Sequence, residues 1–409
     1  MTDEGPRDQT AKGQLRQLSV LIATNFVDMI GFMIVLPLMP FYALHMQATP
    51  FQIGLITAAF SAAQILSAPL WGRVSDRYGR RPALLIGLLA SAAAYVVFGM
   101  ADAIWLLFAS RLIQGAGGGT TGVAQAYVAD TVKARDRARA LGWLSAATSA
   151  GVMLGPVIGS FAAHFGQEAP GFVAAGLCLV NAAFAWRWLP ESRKPGVRTS
   201  VRKPAWHAVW EVVRRPTEQV PRLILIYAVG MLAFSSLTAV LALYLDAEFN
   251  ADERTIGWYY TYIGALSLVM RSLLLGPIVD RIGETRAMRL GTMVLIAGLL
   301  LYPLPGSIWT LALVMPLVPI GTALLFPSTT ALISRRADRE ELGTAMGAAQ
   351  TFGGIARVAA PLLSTRVFEL HHDFPFYVAG AIVALVGVLA FQVSAERSPD
   401  TPAPDLPIA

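Results

Sequence analysis

The sequence predicts an all-α membrane protein with twelve transmembrane helices, arranged as two pseudo-symmetric six-helix bundles. Three observations support this fold class: an apolar composition, a regular series of apolar segments, and a repeat that relates the two halves of the chain. Of 409 residues, 55% are hydrophobic and 14% are charged, whereas soluble domains contain about 25% charged residues. A soluble fold of this length cannot bury so many apolar side chains, but a bilayer solvates them.

Twelve apolar segments have about the 20 residues that a helix needs to cross the hydrocarbon core. The predicted segments, numbered 1 to 12, are 18–44, 53–72, 83–100, 104–127, 139–163, 171–189, 222–246, 255–276, 287–304, 307–328, 343–367 and 374–394. The polar opening, residues 1–17, lacks the short apolar region of a cleaved signal peptide. We therefore expect segment 1 to remain as a membrane anchor.

The distribution of basic residues predicts the orientation in the membrane. The segments presumed to lie inside carry 27 of the 32 lysines and arginines, and the loops on the other side are acidic. Because positively charged loops stay in the cytoplasm, we expect an inner-membrane protein with both termini cytoplasmic. The net charge of +6 then reflects membrane topology, and no nucleic-acid partner is expected.

The longest inside loop and an internal repeat divide the chain. The expected organisation is an N-terminal half over 1–189, a cytoplasmic linker over 190–221 and a C-terminal half over 222–409. The stretch GRVSDRYGRRP after segment 2 recurs as GPIVDRIGETR after segment 8, 204 residues later. The matched positions are Gly72, Asp76, Arg77 and Gly79 in the first half and Gly276, Asp280, Arg281 and Gly283 in the second. This repeat predicts two similar halves.

The repeated stretch has a physical interpretation as a gate. Its glycines permit a tight turn and close backbone approach, and Asp76 can cap the positive N-terminal end of segment 11. Arg80 is placed to reach Asp130 at the end of segment 4. The second half has Glu284 and Arg335 at the equivalent positions, so the charges of the expected pair are exchanged. The alternative is that all these residues are solvated loop charges that only set the topology.

Segment 5 contains glycines at steps of four residues, Gly151, Gly155 and Gly159, with Pro156 beside the middle one. This spacing produces one smooth helical face against which another helix can pack closely. The proline removes a backbone hydrogen bond and bends the helix. We expect this face to form a contact between the two halves.

Four ionisable residues are predicted to lie inside the membrane: Asp28, Arg111, Arg271 and Arg357. Charges at this depth are costly and indicate functional sites by default. Asp28 lies near the bilayer centre, and we expect it to load and release protons with Arg111 as its partner. Arg271 is expected to reach the membrane interface by snorkelling. The alternative for Asp28 and Arg111 is a polar contact that ties helices together.

Polar side chains that share helical faces with these charges are expected to line a central cavity. The expected lining residues are Asn25 and Phe32 on segment 1, Gln114 on segment 4, and Gln350 with Arg357 on segment 11. Tyr227 is expected to lie at the membrane interface or to form a hydrogen bond between helices. The histidines have no metal-ligand spacing and no GxxxxGK[ST] motif occurs. We therefore expect no metal, no cofactor, no catalytic residue and no enzymatic activity.

These motifs resemble the major facilitator superfamily, and within it the twelve-helix drug:proton antiporters that include tetracycline and multidrug exporters. GRVSDRYGRRP resembles motif A of this family, RLIQGAGGG (111–119) resembles motif B, and GVMLGPVIGS (151–160) resembles motif C. The first-segment stretch DMIGFMIVLPLMPFY (28–42) is similar to the same exporters. The resemblance implies a monomer in membrane lipid that exports small organic molecules by alternating access, driven by protons, with Arg111 implicated in coupling.

Two departures from the exporter pattern leave the substrate open. Segment 9 lacks the acid with which tetracycline exporters bind a metal–drug chelate, and the membrane interior holds three arginines and a single acid. The alternative is an exporter or exchanger of anionic or zwitterionic metabolites or lipids, for which Arg357→Gln should weaken binding of anions. A membrane sensor or scaffold is disfavoured because it has no need of Asp28.

Overall fold

The computed structural model describes residues 6–118, 120–132, 136–192, 212, 214, 218–338 and 341–393, and these contain helices and no strand. Twelve helical segments follow in the predicted order. They are α1a (Pro6–Val35) and α1b (Met39–His45), α2 (Pro50–Tyr78), α3 (Arg80–Gly99), α4a (Ile104–Gly117) and α4b (Thr120–Thr131), α5 (Arg137–Ala163), α6 (Ala169–Trp188), α7 (Gln219–Phe249), α8a (Ile256–Val269) with a π-helical turn (Met270–Leu274) and α8b (Leu275–Ile282), α9 (Glu284–Leu301), α10a (Ile308–Val314) and α10b (Leu317–Arg336), α11 (Leu342–Phe368) and α12 (Phe374–Phe391).

Among the described residues, nine of these segments are long and apolar enough to cross a membrane. The other three are α4, α9 and α11. Helix α4 is interrupted at Gly118, α9 carries Glu284, Arg286 and Arg289 near its start, and α11 is rich in glycine, alanine and threonine. All three pack against apolar neighbours: α4 and α11 against α2, and α9 against α10 and α12. The predicted twelve-helix fold is confirmed.

The helices form two bundles with equivalent internal packing. In the first, α1 packs against α5 and α6, and α3 packs against α4 and α6. In the second, α7 packs against α11 and α12, and α9 packs against α10 and α12. This correspondence is the structural counterpart of the sequence repeat. The boundaries of the predicted linker stay a prediction, since most of 190–221 lies outside the described residues.

Two helix pairs form most of the interface between the bundles, α2 with α11 and α5 with α8. A methyl group on Gly54 of α2 would lie 2.7 Å from the carbonyl oxygen of Pro361 on α11. Gly257 of α8 packs equally closely on Pro156 and Ser160 of α5. We call the side of the molecule with these contacts the acidic end, which holds the loops 46–49, 100–103, 164–168, 250–255, 302–307 and 369–373. The opposite side, with the turns at 79 and 283, is the basic end.

The same helix faces are apart at the basic end. Gly72, Gly142 and Gly347 each lie eighteen residues, or about five turns, from the acidic-end contact residues Gly54, Ser160 and Thr365 on their own helices. Among the described residues, no atom of another helix lies within 4 Å of a methyl group placed on any of these three glycines, or on Gly276 of α8. The two halves therefore meet at the acidic end, and the space between them opens at the basic end.

The glycine face of α5 packs inside the first half, so the expectation that it joins the two halves is wrong. Gly151, Gly155 and Gly159 all face α1, and a methyl group on Gly155 would lie 2.9 Å from the carbonyl oxygen of Ile30. The opposite face of α5, with Pro156, contacts α8. Glycine is required here because α1 approaches the α5 backbone directly.

Candidate functional site

Asp28 lies in the middle of the first bundle and is half-buried. It borders a small cavity between α1, α3 and α4, together with Asn25 and Thr24. The Asn25 amide donates hydrogen bonds to the Thr148 hydroxyl (2.7 Å) and to the Leu144 carbonyl of α5. Asn25 therefore packs α1 against α5, while Asp28 borders the small cavity beside it.

Phe32, one turn further along α1, is brought to α2. Its ring lies 5.2 Å from the ring of Phe60, measured between centroids, and the two planes are tilted by 36°. Helix α1 then breaks after Val35, where Pro37 and Pro40 prevent a continuous helix. Phe32 is half-buried, so this aromatic pair adds apolar surface between α1 and α2, one turn from Asp28.

Arg111 is the largest fully buried side chain, with 1% of its surface exposed. Its guanidinium lies over the ring of Phe98, 5.6 Å from the centroid. None of its three nitrogens has a hydrogen-bond partner among the described residues, and no ion pair joins it to Asp28 there. The expected direct pairing is absent in this conformation. A guanidinium without hydrogen bonds at this depth is costly, and its position over the Phe98 ring offsets part of that cost.

Tyr95 of α3 connects the two charges. Its hydroxyl lies within electrostatic reach of both Asp28 and Arg111, and it accepts a hydrogen bond of 2.6 Å from the amide of Gln114. Gln114 shares the face of Arg111, as predicted. The sequence did not single out Tyr95, since an aromatic in an apolar helix is normally packing. Asp28, Tyr95, Gln114 and Arg111 together form a buried polar group that we call the first-half cluster.

The second half has a different polar group, which we call the second-half cluster and which consists of Arg357, Gln350 and Tyr227. Tyr227 of α7 packs edge-on against Phe326 of α10b at 5.4 Å. Gln350 and Arg357 both lie within electrostatic reach of the Tyr227 hydroxyl. Arg357 is half-buried and Gln350 exposed. The two predicted residues of α11 are thus brought together, and the structure adds Tyr227.

The basic end carries the predicted ion pairs. Arg80 Nε lies 2.8 Å from Asp130, and Arg80 Nη1 lies 2.9 Å from Asp76 and 2.7 Å from the Ser75 hydroxyl. In the second half, Arg335 lies 2.6 Å from the Glu284 carboxylate. Both predicted pairings, with exchanged charges, are therefore formed. The capping of α11 by Asp76 stays a prediction.

The turns of the repeat have the backbone that glycine allows. Gly79 and Gly283 have φ of 108° and 78°, a region that other residues rarely adopt. Their neighbours Arg77, Asp280 and Arg281 are exposed. The close approach that Gly72 and Gly276 would permit is not made in this conformation, because both lie where the halves are apart.

Glu191 is a residue of the basic end that sequence reasoning missed. Its carboxylate accepts hydrogen bonds from the backbone nitrogens of Arg80 (2.8 Å) and Arg81 (3.1 Å) at the start of α3. A negative charge there stabilises the helix N-terminus. Arg81 in turn donates to the carbonyl of Trp186 at the end of α6. The start of α3 and the end of α6 are therefore locked together beside the Arg80–Asp130 pair.

Helix α4, predicted as continuous, is broken after Gly117. Side chains of α2 occupy the carbonyls near the break: Ser67 donates to Gly115, Trp71 to Ala116 and Gln64 to Gly118, at 3.2, 2.5 and 3.3 Å. Gly115 lets α2 approach, since a methyl group there would lie 2.9 Å from Ala63. The break places Arg111 in a short half-helix that is held by α2 and α3.

At the acidic end, each pair that joins the halves has one backbone donor satisfied by the opposite half. The Phe51 nitrogen at the start of α2 donates to Glu369 at the end of α11 (3.1 Å), and Glu369 also pairs with Arg366 at 2.5 Å. The Gly257 nitrogen at the start of α8 donates to the Ser160 hydroxyl of α5 (2.9 Å). We call these two contacts the outer latch.

Arg271 lies in the π-helical turn of α8 and is exposed. Its expected snorkelling stays a prediction. Among the described residues, no group of three or more histidine, cysteine, aspartate or glutamate side chains is arranged to hold a metal ion.

Comparison with known proteins shows the family. The model of the Major Facilitator Superfamily matches residues 21–245 and 223–407. Multidrug resistance protein 2 of Bacillus subtilis (strain 168) is 28% identical over 390 residues, which are 94% of this chain and 96% of that protein. The class C tetracycline resistance protein of Escherichia coli is 28% identical over 358 residues, 86% and 89% of the two chains.

A solved structure shares the fold. The human organic anion transporter MFSD10 (TETRAN) superposes with a TM-score of 0.69 at 24% identity, covering 92% of this chain and 99% of that one. Together with the apolar helices, these matches identify a multi-pass membrane protein. The chain belongs to the major facilitator superfamily of transporters.

Proposed function

We propose that this chain is a proton-coupled secondary active transporter that exports drugs or other small organic molecules by alternating access. The observation that carries the proposal is the asymmetric conformation: the halves meet at the acidic end, part at the basic end, and contain the membrane charges Asp28, Arg111 and Arg357. Relatives named for multidrug and tetracycline resistance support the substrate class.

The orientation follows from the loops. Basic residues concentrate at the end with Gly79 and Gly283, and basic loops face the cytoplasm. The proposed location is the bacterial inner membrane with both termini in the cytoplasm. The described conformation is then open to the cytoplasm and ready to accept a substrate from it.

Alternating access is supported by the glycines at the basic end. Gly72 and Gly347, and likewise Gly142 and Gly276, lie on the faces that touch at the acidic end. If the two halves rock about their middle, these glycines meet as the outer latch opens. Arg80–Asp130 and Glu284–Arg335 hold the adjoining helix ends rigid, so each half moves as one body.

Proton coupling is assigned to the first-half cluster. Asp28 faces the cavity, and Arg111 forms no hydrogen bond with any described residue. Both charges lie within electrostatic reach of the Tyr95 hydroxyl. A deprotonated Asp28 carboxylate attracts Arg111 through Tyr95 and Gln114, and protonation releases it. Loading a proton from one side and releasing it to the other therefore changes the charge balance within this half.

The partners of the proposal are a small-molecule substrate, protons and membrane lipid, and the working unit is a monomer. The proposed transport cycle consists of binding and conformational change and makes no covalent bond. No cofactor is therefore assigned.

The test is flux by the purified protein in liposomes. A panel of one cationic, one neutral and one carboxylate compound is measured with and without a pH gradient. We expect at least one compound to be transported faster than in empty liposomes, and the gradient to accelerate it. Absence of transport for the whole panel would contradict the proposed substrate class, and gradient-independent transport would refute proton coupling.

A further inference from the structure

We propose that the second-half cluster is an anion subsite, in which Arg357 binds the carboxylate of an amphiphilic organic substrate with Gln350 and Tyr227 beside it. The inference rests on the proposed transport function and specifies its substrate class. It depends on three observations: where Arg357 projects, what charges surround it, and what lies next to it.

The neighbours of α11 determine where Arg357 projects. A methyl group on Gly354 would contact Ile65 of α2 at 2.9 Å, and one on Gly353 would contact Tyr227 of α7 at 2.9 Å. Arg357 lies three and four residues further along, on the same side of the helix. It therefore projects between α2 and α7, which belong to opposite halves.

The guanidinium also points toward the open side. It reaches back to 4.0 Å from the methyl position of Gly354, as helical side chains lean toward the N-terminus of their helix. The N-terminus of α11 lies at the basic end, where the halves are apart. A ligand that enters from that side meets Gln350 first and then Arg357, one to two turns deeper.

The second half supplies no anion for this charge. Asp246, at the end of segment 7, is the single acid in its six predicted membrane segments. Arg357 forms no hydrogen bond or ion pair with any described residue, whereas Arg335 pairs with Glu284 and Arg289 donates to carbonyls at the end of α12. A half-buried guanidinium in this position favours an anionic ligand.

The chemistry of the cluster selects a carboxylate on an apolar body. A guanidinium binds a carboxylate with two parallel hydrogen bonds, and the Gln350 amide and Tyr227 hydroxyl can bind its outer oxygen. The rings of Tyr227 and Phe326 provide an aromatic surface for the rest of the molecule. A phosphate of an anionic lipid shares the charge chemistry, so the experiment must separate these two sources.

Binding of a matched pair of fluorescent probes tests the subsite. Pyrenebutyrate and its methyl ester differ in one charge, and each is titrated into the purified protein in phosphatidylcholine nanodiscs. We expect Arg357→Gln to weaken pyrenebutyrate binding by at least about tenfold, as truncation of one partner of a buried charge pair does. Binding of the ester should change less than about twofold.

Two variants control the result. Arg357→Lys keeps the charge without the planar fork, so it should recover part of the lost affinity and show that the site has not unfolded. Arg254→Gln removes an exposed arginine of an outer loop and should leave both affinities unchanged. Equal weakening for acid and ester, or no weakening for the acid, would overturn the inference.

Nanodiscs with phosphatidylglycerol distinguish a lipid occupant. If anionic lipid displaces pyrenebutyrate from the wild type but not from Arg357→Gln, and the carboxylate preference vanishes in its presence, the subsite holds lipid and the substrate inference fails. Because these readouts are binding constants, they are independent of the flux panel. Failure of transport therefore leaves the binding test intact, and the reverse also holds.

Discussion

The two halves of the molecule share their helix packing and gate geometry but differ in the charges that they place inside the membrane. The first half contains Asp28 and the buried Arg111, while the second contains Arg357 and no comparable acid. By the 204-residue offset of the repeat, Asp28 corresponds to Leu232. Segments 5 and 11 align at 205 residues, which matches Gly142 with Gly347 and Pro156 with Pro361, and this offset relates Arg357 to Val152. Asp28 and Arg357 therefore each have an apolar counterpart.

This difference indicates which features duplication preserved. The gate needs an ion pair at each basic-end turn, and either polarity satisfies it, as Arg80–Asp130 and Glu284–Arg335 demonstrate. Buried charges are expensive to keep, so a second copy persists only where it has its own use. We infer that the first half handles the proton and the second half the substrate anion.

The largest expected effect is on proton coupling. Asp28→Asn removes the acid of the first half while keeping its size, and we expect gradient-driven transport to fall to the level measured without a gradient. Substrate exchange in the absence of a gradient should persist. The measurement is flux in liposomes, with Asp102→Asn, an exposed loop acid, as the matched control. Undiminished gradient dependence in the Asp28 variant would break the division between the halves.

Arg111→Gln should separate function from stability. Because the guanidinium is buried without a described hydrogen-bond partner, its removal eliminates a desolvation cost. We expect gradient-driven transport to be lost and the thermal unfolding temperature to stay equal or rise by about 2–4 °C. Arg254→Gln, on the surface, should change neither quantity. A clear fall in unfolding temperature would show that Arg111 is a structural tie, which is the alternative interpretation of this residue.

Charge reversal tests whether the gate depends on pairing rather than polarity. Arg80→Asp and Asp130→Arg should each reduce transport several-fold, and the double variant should recover most of the loss. The coupling is expected to be about 1 kcal/mol, since the Asp130 side chain is partly exposed. Exchange of Glu284 and Arg335 places the positive charge at position 284 and the negative charge at position 335, as in the first half. We expect this double variant to retain transport. A double variant as inactive as the singles would contradict the pairing.

The smallest expected effect concerns the outer latch. Glu369→Gln weakens the contact with the start of α2, a charge–helix interaction of at most about 1 kcal/mol at an exposed position. We expect the fraction of molecules that are open at the acidic end to rise by at most about fivefold. This fraction is measured from distances between spin labels placed on the two halves. Glu248→Gln, whose partner His372 is in the same half, is the matched control. An equal shift in both variants would show that the outer latch does not hold the acidic end closed.

Local and repeated features could be predicted from the sequence. Hydropathy and length define the twelve segments, and the exchanged charges of the repeat predict both basic-end ion pairs. The face formed by Gly151, Gly155 and Gly159 shows the limit of prediction from sequence. A smooth helical face predicts close packing, but it does not identify the helix that packs against it. Docking of α1 and α8 on opposite sides of α5 decides that question.

The remaining features depend on contacts between distant parts of the chain. Glu191 reaches the start of α3 across more than a hundred residues, and the break in α4 is stabilised by side chains of α2. The sequence predicts Asp28 and Arg111 as partners by charge alone. Their separation follows from the position of Arg111 over Phe98, which depends on how α3 and α4 pack.

The most direct test of the division between the halves is the affinity ratio of pyrenebutyrate to its methyl ester, measured in Asp28→Asn. If proton handling and anion binding belong to separate halves, this ratio should equal that of the wild type, although gradient-driven transport is lost. Arg357→Gln, measured in parallel, should bring the ratio close to one. If Asp28→Asn alone abolishes the carboxylate preference, the two clusters act as one site and the proposed division is wrong.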